Sequence, residues 1–249
     1  MKKYSLYVHS HKIIGIILCF ALVITYAPIV SLTASAAVSG SCGENVNWSY
    51  DTATKTLTIS GTGDMKEYAY SKRPWKSYEF TAETLIVEDG VTSLCTSAFC
   101  TFVYLTKVQL GNTLTVIESD AFAKCIRLSE ITIPDSVTTI SDYVFSECLS
   151  LKAIHIPKNL TIIGERVFEY CESLERITAD EDCVCFSSDE NGVLFNKDKT
   201  ELVFYPPANS LTSYTIPDGV TTINDYAFLL CINLINISLP DTLSTIERC

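Results

Sequence analysis

The sequence predicts an α/β solenoid, in which short parallel β-strands stack in register and are joined by turns and short 3₁₀ or helical segments, after a β-rich N-terminal cap. Two observations predict it. Phe99, Phe122, Phe145 and Phe168 follow one another at intervals of 23 residues, and Phe228 follows after a further 60. Leucine and isoleucine recur at fixed offsets from these phenylalanines. Such a period is typical of repeat arrays, in which each unit can bury its apolar face only against the next unit.

Each repeat contains one predicted strand with the pattern apolar-x-x-apolar-x-apolar, as in residues 151–156. Its last three residues alternate as in a strand with one buried face. A proline ends the strand because it cannot donate a hydrogen bond to a neighbouring strand. The residues at this position are Pro134, Pro157, Pro217 and Pro240, with Gly111 in one repeat. The stretch that leads to the phenylalanine is short, so we expect an extended piece followed by one helical or 3₁₀ turn.

These repeats resemble the BspA-type leucine-rich repeat, whose unit reads roughly L-x-x-I-x-I-P-x-x-V-x-x-I-x-x-x-A-F-x-x-C. The Phe, Leu and Pro positions coincide with this unit in several repeats, and so do Cys125, Cys148, Cys171 and Cys231. The resemblance implies a leucine-rich-repeat solenoid over residues 86–249, with an irregular hairpin-bearing unit at about 180–216. It also implies a secreted or surface-attached bacterial protein that binds host or neighbouring-cell ligands.

The two ends of the chain carry separate expectations. Residues 1–36 have the lysines, the apolar run and the Ala34-Ser35-Ala36 motif of a secretion signal, and a retained membrane anchor is the alternative. Residues 37–85 are the predicted β-rich cap. An aromatic cluster (Tyr68, Tyr70, Trp75, Tyr78 and Phe80) is expected to cover the first repeat or, alternatively, to serve recognition. The last repeat stops two residues before the next expected phenylalanine, so we expect a truncated array.

The charge of the chain bears on its partners. The net charge is −11 at pH 7, and loss of residues 1–36 removes three lysines and no carboxylate, which makes it −14. A chain this acidic repels nucleic acids and anionic membrane surfaces, so neither is an expected partner, and no membrane insertion is expected once the signal is removed. The sequence carries no information on the oligomeric state.

The cysteines form a core column rather than an evident disulfide framework. Secretion would favour disulfides. However, the four cysteines that lie three residues after a repeat phenylalanine share one inward position, where a small thiol packs well. We therefore expect these thiols to be reduced. The pairing of the other cysteines stays open: Cys42, Cys95, Cys100, Cys183, Cys185 and Cys249.

The sequence contains little that could carry catalysis. His155 is the only histidine after the signal segment, so no Ser-His-Asp or Cys-His arrangement can be built without it. The acidic stretches 180–182 and 189–190 could supply a glycosidase carboxylate pair or bind calcium, but they lack the EF-hand pattern and are interpreted as solvated loops. Cys183 and Cys185 are too close for the usual zinc spacing. We expect no enzyme activity, no cofactor and no metal site.

If the array binds a ligand, the outward positions of its parallel strands are the expected site, because solenoids use such extended surfaces for recognition. The alternative is that these positions are polar only for solubility. One predicted column is uncharged at neutral pH, and a second contains charged side chains. The candidate binding residues are Gln109, Thr132, His155, Thr178 and Ser238 in the first column and Lys107, Glu130 and Arg176 in the second.

Three functions are compatible with these observations. The first is a secreted or cell-surface module, without enzymatic activity, that adheres to an extracellular protein or glycan. The second is a structural spacer that projects another domain of a wall-anchored protein. The third is the non-catalytic repeat region of a larger secreted enzyme. The sequence does not identify a ligand.

Overall fold

The computed structural model describes residues 37–248. The predicted signal, residues 1–36, and Cys249 lie outside the described residues. Two 3₁₀-helices, Tyr70–Lys72 and Lys76–Tyr78, precede the repeats. In chain order, the strands are β1 (Val38–Ser41), β2 (Asn45–Asp51), β3 (Thr56–Asp64), β4 (Thr84–Val87), β5 (Val91–Leu94), β6 (Lys107–Gln109), β7 (Val116–Ile117), β8 (Thr139–Ile140), β9 (Ala153–Ile156), β10 (Ile162–Ile163), β11 (Arg176–Ala179), β12 (Phe186–Ser188), β13 (Leu194–Asn196), β14 (Glu201–Phe204), β15 (Ser213–Thr215), β16 (Thr222–Ile223), β17 (Asn236–Ser238) and β18 (Thr245–Ile246).

The strands form an antiparallel sheet followed by two parallel stacks. β1 pairs with β2 and β2 with β3, both antiparallel. β3 then pairs in parallel with both β4 and β5, so it begins both stacks. The outer strands are β4, β6, β9, β11, β15 and β17, and six of the eight predicted binding residues lie on β6, β9, β11 and β17. The return strands, β5, β7, β8, β10, β14, β16 and β18, form the second stack.

The register of both stacks follows the sequence period. Thr178 of β11 lies opposite His155 of β9, and Ile163 of β10 lies opposite Ile140 of β8. Each pair is 23 residues apart, so equivalent residues of successive repeats become neighbours. Equal spacing in the sequence therefore becomes direct stacking in space, as in other solenoids.

The repeat phenylalanines form a continuous stack inside the array. Phe122 lies 5.8 Å from Phe145, which lies 6.1 Å from Phe168, and these rings are nearly parallel, at 9° and 3°. Phe99 continues the stack, and the Trp75 ring lies 6.2 Å beyond it. All five rings are buried. Burial of an aromatic side chain is a large favourable term, so this stack is a main source of stability.

A column of cysteines runs beside the aromatic stack. The Cys125 thiol donates to the Phe99 carbonyl at 3.4 Å, and Cys148 and Cys171 repeat this contact one and two units later at 3.2 and 3.1 Å. All three are buried and free, as the periodicity predicts. Cys231 is also free but only half-buried. The other described cysteines are free as well: Cys42, Cys95, Cys100, Cys183 and Cys185.

The helical half of the predicted α/β class is not confirmed, because residues 37–248 form a β-solenoid with almost no helix. Each repeat phenylalanine instead lies at the centre of a five-residue turn, here called a Phe turn, as in residues 143–147. Tyr143 and Glu147, two residues to either side of Phe145, have φ values of 58° and 57°. The same holds around the other four phenylalanines. Left-handed residues at both ends of the turn cannot continue a right-handed helix.

One predicted strand is absent. Residues 129–133 match the strand pattern, yet they have no strand pairing, and the outer stack is interrupted between β6 and β9. Ile131 and Ile133 remain buried. Side-chain packing therefore helps to hold this outer segment in line, while β8 keeps the repeat paired in the return stack.

The irregular unit inserts a hairpin that crosses the array. β12, β13 and β14 pair antiparallel, and β14 then joins β16 and β18 in the return stack. In the turn between β12 and β13, the Gly192 carbonyl accepts from the amide of Ile177 at 2.9 Å. Only glycine fits here, because its φ is +78° and a Cβ would lie 2.6 Å from the Cβ of Arg176.

The hairpin separates two groups of buried side chains. Leu194 and Phe204 pack into the larger group, which reaches back to β2. Their neighbours Phe195 and Tyr205 pack into a smaller group with Tyr214. Alternation along β13 thus sends adjacent side chains into two different cores. The β-rich segment before the repeats is present as β1–β3, while its predicted capping role remains a prediction.

Candidate functional site

The outer strands present the predicted binding residues to solvent. Lys107 and Gln109 lie on β6, His155 on β9, and Ser238 on β17. All eight predicted side chains are exposed except that of Thr178, which is half-buried. The remaining four are Glu130 and Thr132, in the segment without strand pairing, and Arg176 and Thr178 on β11. On β9 and β11 alternation explains this placement, because Ile154, Ile156 and Ile177 point into the core. On β17 the intervening Ile237 is exposed as well.

His155 and Thr178 form a direct contact between two of these residues. The Nδ1 atom of His155 lies 3.0 Å from the hydroxyl oxygen of Thr178, on the adjacent strand. The register places these two residues opposite one another. This imidazole–hydroxyl pair offers both donors and acceptors on the surface, which suits a hydrogen-bonding ligand.

Two further residues belong to the surface and were not predicted. Ser213 and Thr215 of β15 lie opposite Asn236 and Ser238 of β17 and are exposed. The inserted hairpin interrupts the 23-residue count, so counting from Phe168 does not reach them. Pro217 is the signal that could have found them, because it follows β15 as Pro157 follows β9.

A groove of about 540 Å³ lies where the insertion meets β15. Its lining is mainly polar and includes Ser188, Glu190, Lys199, Ser213 and Thr215. The groove thus joins the outer strand β15 to side chains of the inserted unit. It widens the polar surface that a ligand could contact.

Asp189 organises the wall of this groove. Its carboxylate accepts hydrogen bonds from the Tyr214 hydroxyl at 2.7 Å and from the backbone amides of Asn191 at 3.0 Å and Val193 at 2.8 Å. Burial, and then the bond to Asp189, raise the pKa of Tyr214 well above its ordinary value. Because its carboxylate already holds these donors, Asp189 has a structural role. Within residues 37–248, no group of three or more His, Cys, Asp or Glu side chains is placed to hold a metal ion.

The aromatic cluster before the repeats is divided between core and surface. Trp75 is fully buried against Phe99, whereas Phe80 and Tyr70 are exposed. Tyr70 lies beneath two cations, since its ring centroid is 4.1 Å from Lys76 Nζ and 4.4 Å from the guanidinium carbon of Arg73. These contacts tie Tyr70 to its own segment.

Comparison with known proteins places the repeats in a defined family. The profile of the BspA type leucine-rich repeat region matches residues 75–189 and 201–249, in six copies. Comparison with curated protein sequences gives no match. Among residues 37–248, no helix combines the length and the apolar character needed to cross a membrane.

Two solved structures resemble this fold. A leucine-rich repeat protein from Eubacterium ventriosum superposes with a TM-score of 0.71 at 29% sequence identity, and the match covers 85% of this chain and 62% of that protein. The pneumococcal vaccine antigen PcpA superposes with a TM-score of 0.53 at 18% identity, over 84% of this chain and 71% of that one. This chain therefore spans less than two thirds of the Eubacterium ventriosum protein. The second likeness shows the fold alone.

Proposed function

This chain belongs to the BspA type leucine-rich repeat family, and on that premise we propose that it is a secreted or cell-surface binding module without enzymatic activity. Its ligand is an extracellular protein or glycan, and the outer strands form the binding surface. Proteins built from such repeats generally act through extended surfaces of this kind. Adhesion to a host or neighbouring cell is the role that such binding would serve.

The observation that carries this proposal is the alignment of hydrogen-bonding side chains on one face. Five of the eight candidate residues carry uncharged hydroxyl, amide or imidazole groups at neutral pH, namely Gln109, Thr132, His155, Thr178 and Ser238. Ser213 and Thr215 extend the set across the insertion. Lys107, Glu130 and Arg176 lie in the adjacent column, so charged side chains flank these hydrogen-bonding groups. Such a surface suits a polar, uncharged ligand such as a glycan or a protein backbone.

The test is a binding screen with two matched sets of substitutions. The purified protein is applied to arrays of glycans and of extracellular-matrix proteins. The combined change Thr132→Ala, His155→Ala and Thr178→Ala should weaken binding of any ligand found by about tenfold. A control set away from the outer strands, Thr54→Ala, Lys72→Ala and Glu172→Ala, should change it by less than about twofold.

Two results would contradict the proposal. Equal weakening by both sets would place the binding surface elsewhere on the protein. Failure to bind any ligand on either array would favour the structural spacer.

A further inference from the structure

A ladder of backbone hydrogen bonds connects successive Phe turns. In each step, three alternate amides of one turn donate to three carbonyls of the next turn. Tyr143 donates to Glu165 at 3.0 Å, and Phe145 donates to Val167 at 3.0 Å. The third donor of this step is Glu147, which bonds to Glu169 at 2.7 Å, and the two earlier steps have the same pattern.

The ladder breaks after the fourth Phe turn. Among the described residues, the amides of Arg166, Phe168 and Tyr170 donate to no backbone carbonyl. They have the conformation of their counterparts one turn earlier. Arg166 and Tyr170 have φ values of 52° and 57°, and the ring of Phe168 is parallel to that of Phe145 within 3°. Their N–H groups therefore point toward the place where the next turn would lie.

The inserted unit explains the break. Where a fifth Phe turn would follow, the chain runs through β14 into Pro206 and Pro207, and its carbonyls accept no hydrogen bond from these three amides. Phe204 packs against Phe168 at 5.5 Å. Tyr205 then resumes the ladder, since its amide donates to the Ala227 carbonyl at 2.8 Å. The aromatic stack thus reaches one residue further, to Phe204 of the inserted unit, whereas the backbone ladder stops at the fourth Phe turn.

A cleft lies at this break. Its cavity volume is about 280 Å³, close to the lower limit of common ligand sites. Ile163, Val167, Val203 and Phe204 give it an apolar lining, and Leu229 lies among its walls. A cleft with a partly apolar lining and backbone donors along one side has the features that bind an extended peptide.

The rim of the cleft is acidic. Five carboxylates line it, against a single guanidinium, that of Arg166. Arg166 is itself engaged, since Nη1 lies 3.5 Å from Glu169 and its guanidinium carbon lies 4.1 Å from the centre of the Tyr226 ring. A basic occupant would be attracted to this rim. The carboxylates are those of Asp142, Glu165, Glu169, Asp225 and Glu247.

The opposite edge of the same ladder is closed by the protein itself. The first Phe turn has no preceding turn, yet its carbonyl at Ala98 accepts from the Trp75 indole at 2.7 Å and from the Arg73 guanidinium at 2.9 Å. At the edge of the ladder in the cleft, by contrast, no backbone carbonyl of the described residues accepts a hydrogen bond from the amides of the Phe turn. Unpaired backbone groups beside an apolar cavity are unfavourable unless a partner supplies the missing bonds.

We propose that this cleft binds an extended, basic segment of a partner protein, whose alternate carbonyls accept from the amides of Arg166, Phe168 and Tyr170. An extended chain suits this edge, because every second carbonyl points to the same side. Lysine or arginine side chains of the segment would reach the acidic rim. The cleft is built by the return strands and Phe turns, so it is independent of the outer-strand surface.

The test uses the purified protein and a synthetic peptide, acetyl-Lys-Val-Lys-Val-Lys-Val-amide. Amide hydrogen exchange is followed residue by residue with NMR. Without peptide, the amides of Arg166, Phe168 and Tyr170 should exchange about tenfold or more faster than those of Tyr143 and Phe145. Saturating peptide should slow the exchange of those three amides by about tenfold.

Two variants and a second peptide supply the controls. Glu165→Lys, on the rim, should raise the Kd of the basic peptide roughly fivefold or more. Glu172→Lys makes the same charge change at an exposed site outside the cleft and should alter it less than about twofold. The charge-reversed peptide, acetyl-Glu-Val-Glu-Val-Glu-Val-amide, should not bind.

Three results would overturn the proposal. Full protection of the three amides in the free protein would mean that their acceptors are already present. Binding without new protection of these amides would place the peptide elsewhere. Equal effects of the two lysine variants would show only a non-specific attraction to an acidic chain.

Discussion

Tyr205 and Tyr214 show how differently two neighbouring buried hydroxyls can be accommodated. Their rings contact each other edge to face, at 5.2 Å, in the smaller core. The Tyr214 hydroxyl donates to Asp189 at 2.7 Å. The Tyr205 hydroxyl is buried and has no partner among the described residues. A buried hydroxyl without a partner costs free energy, whereas one bonded to a carboxylate is stabilising.

Replacement of each tyrosine by phenylalanine should therefore have opposite effects. Tyr205→Phe removes the unpaired hydroxyl and should raise the free energy of unfolding by about 1 kcal/mol. Tyr214→Phe leaves the Asp189 carboxylate without its donor and should lower that free energy by about 2 kcal/mol. Urea denaturation of both variants measures the two values. A loss of stability in both would mean that Tyr205 has a partner, such as a bound water.

The buried cysteines make stability depend on alkaline pH. Burial raises the pKa of Cys171 to about 12, whereas an unfolded chain titrates near 8.5. Below about pH 8.5 both states hold the proton, and the stabilising contribution is complete. Between about 8.5 and 12 only the unfolded state releases the proton, so stability falls as the pH rises.

Cys171→Ala separates this pH effect from packing. At neutral pH the variant should be less stable than the parent, because it loses a buried side chain and leaves a cavity. At about pH 10.5 the parent should lose about 2–3 kcal/mol that the variant retains, so the difference between them should shrink or reverse. Thermal unfolding at both pH values tests this. An unchanged difference would show that the thiol is accessible to water in the folded state.

At the scale of the structural element, the first Phe turn depends on the segment between the two 3₁₀-helices that precede the repeats. Arg73 is 3% exposed and donates to the carbonyls of Ser97, Ala98 and Cys100. Its charge is balanced by Glu79, 3.6 Å away. This single side chain thus takes the place of the amides that a preceding turn would supply.

Arg73→Ala should lower the free energy of unfolding by about 3 kcal/mol or more. It leaves several carbonyls without donors and Glu79 without one of its partners. Lys72→Ala is the matched control, since Lys72 is exposed and its loss should cost less than about 0.5 kcal/mol. Urea denaturation compares the two. Similar small losses in both variants would mean that water replaces the guanidinium at this edge.

The outer strands and the Phe turns differ in how far their sequences predict them. The alternating pattern predicted β9 and β11 and the outward positions of His155 and Thr178, and Pro157 marked the end of β9. The short stretch before each phenylalanine was expected to be helical in part. It forms part of a turn that has a left-handed residue at each end. Tyr143, Arg166 and Tyr226 are the first such residues of three turns, and ordinary side chains rarely prefer this conformation. The hydrogen-bond ladder between turns stabilises this conformation. Local residue preferences could not predict it, because they do not include contacts with the next repeat.

At the scale of the whole described chain, residues 37–248, the inserted hairpin separates the buried side chains into two groups. Ile140 of β8 lies in the larger group, and Ile223 of β16, at the equivalent repeat position, lies in the smaller one. β10 has no pairing to β14, so the return stack is also interrupted there. Repeat proteins are stabilised by contacts between neighbouring units. Because few contacts connect the two groups, we expect the repeats on either side of the insertion to unfold independently.

Matched substitutions in the two groups test this division. Ile140→Ala and Ile223→Ala each remove the same buried atoms and should each cost about 2–5 kcal/mol locally. Native-state hydrogen exchange should show weaker protection of β7 and β8 in the first variant and of β14 and β16 in the second. A uniform loss of protection in either variant would mean that the two groups unfold as one cooperative unit.

The sequence by itself determined the solenoid, its register, the family and the inward column of aromatic rings and thiols. It could do so because identical apolar side chains at equal intervals can be buried only by stacking one repeat on the next. Only the tertiary structure decided the division of the core, the closure of the first turn by Arg73 and the unpaired amides at Arg166 and Phe168. These features depend on which segments meet across the insertion, and that arrangement is set by packing between units far apart in the chain.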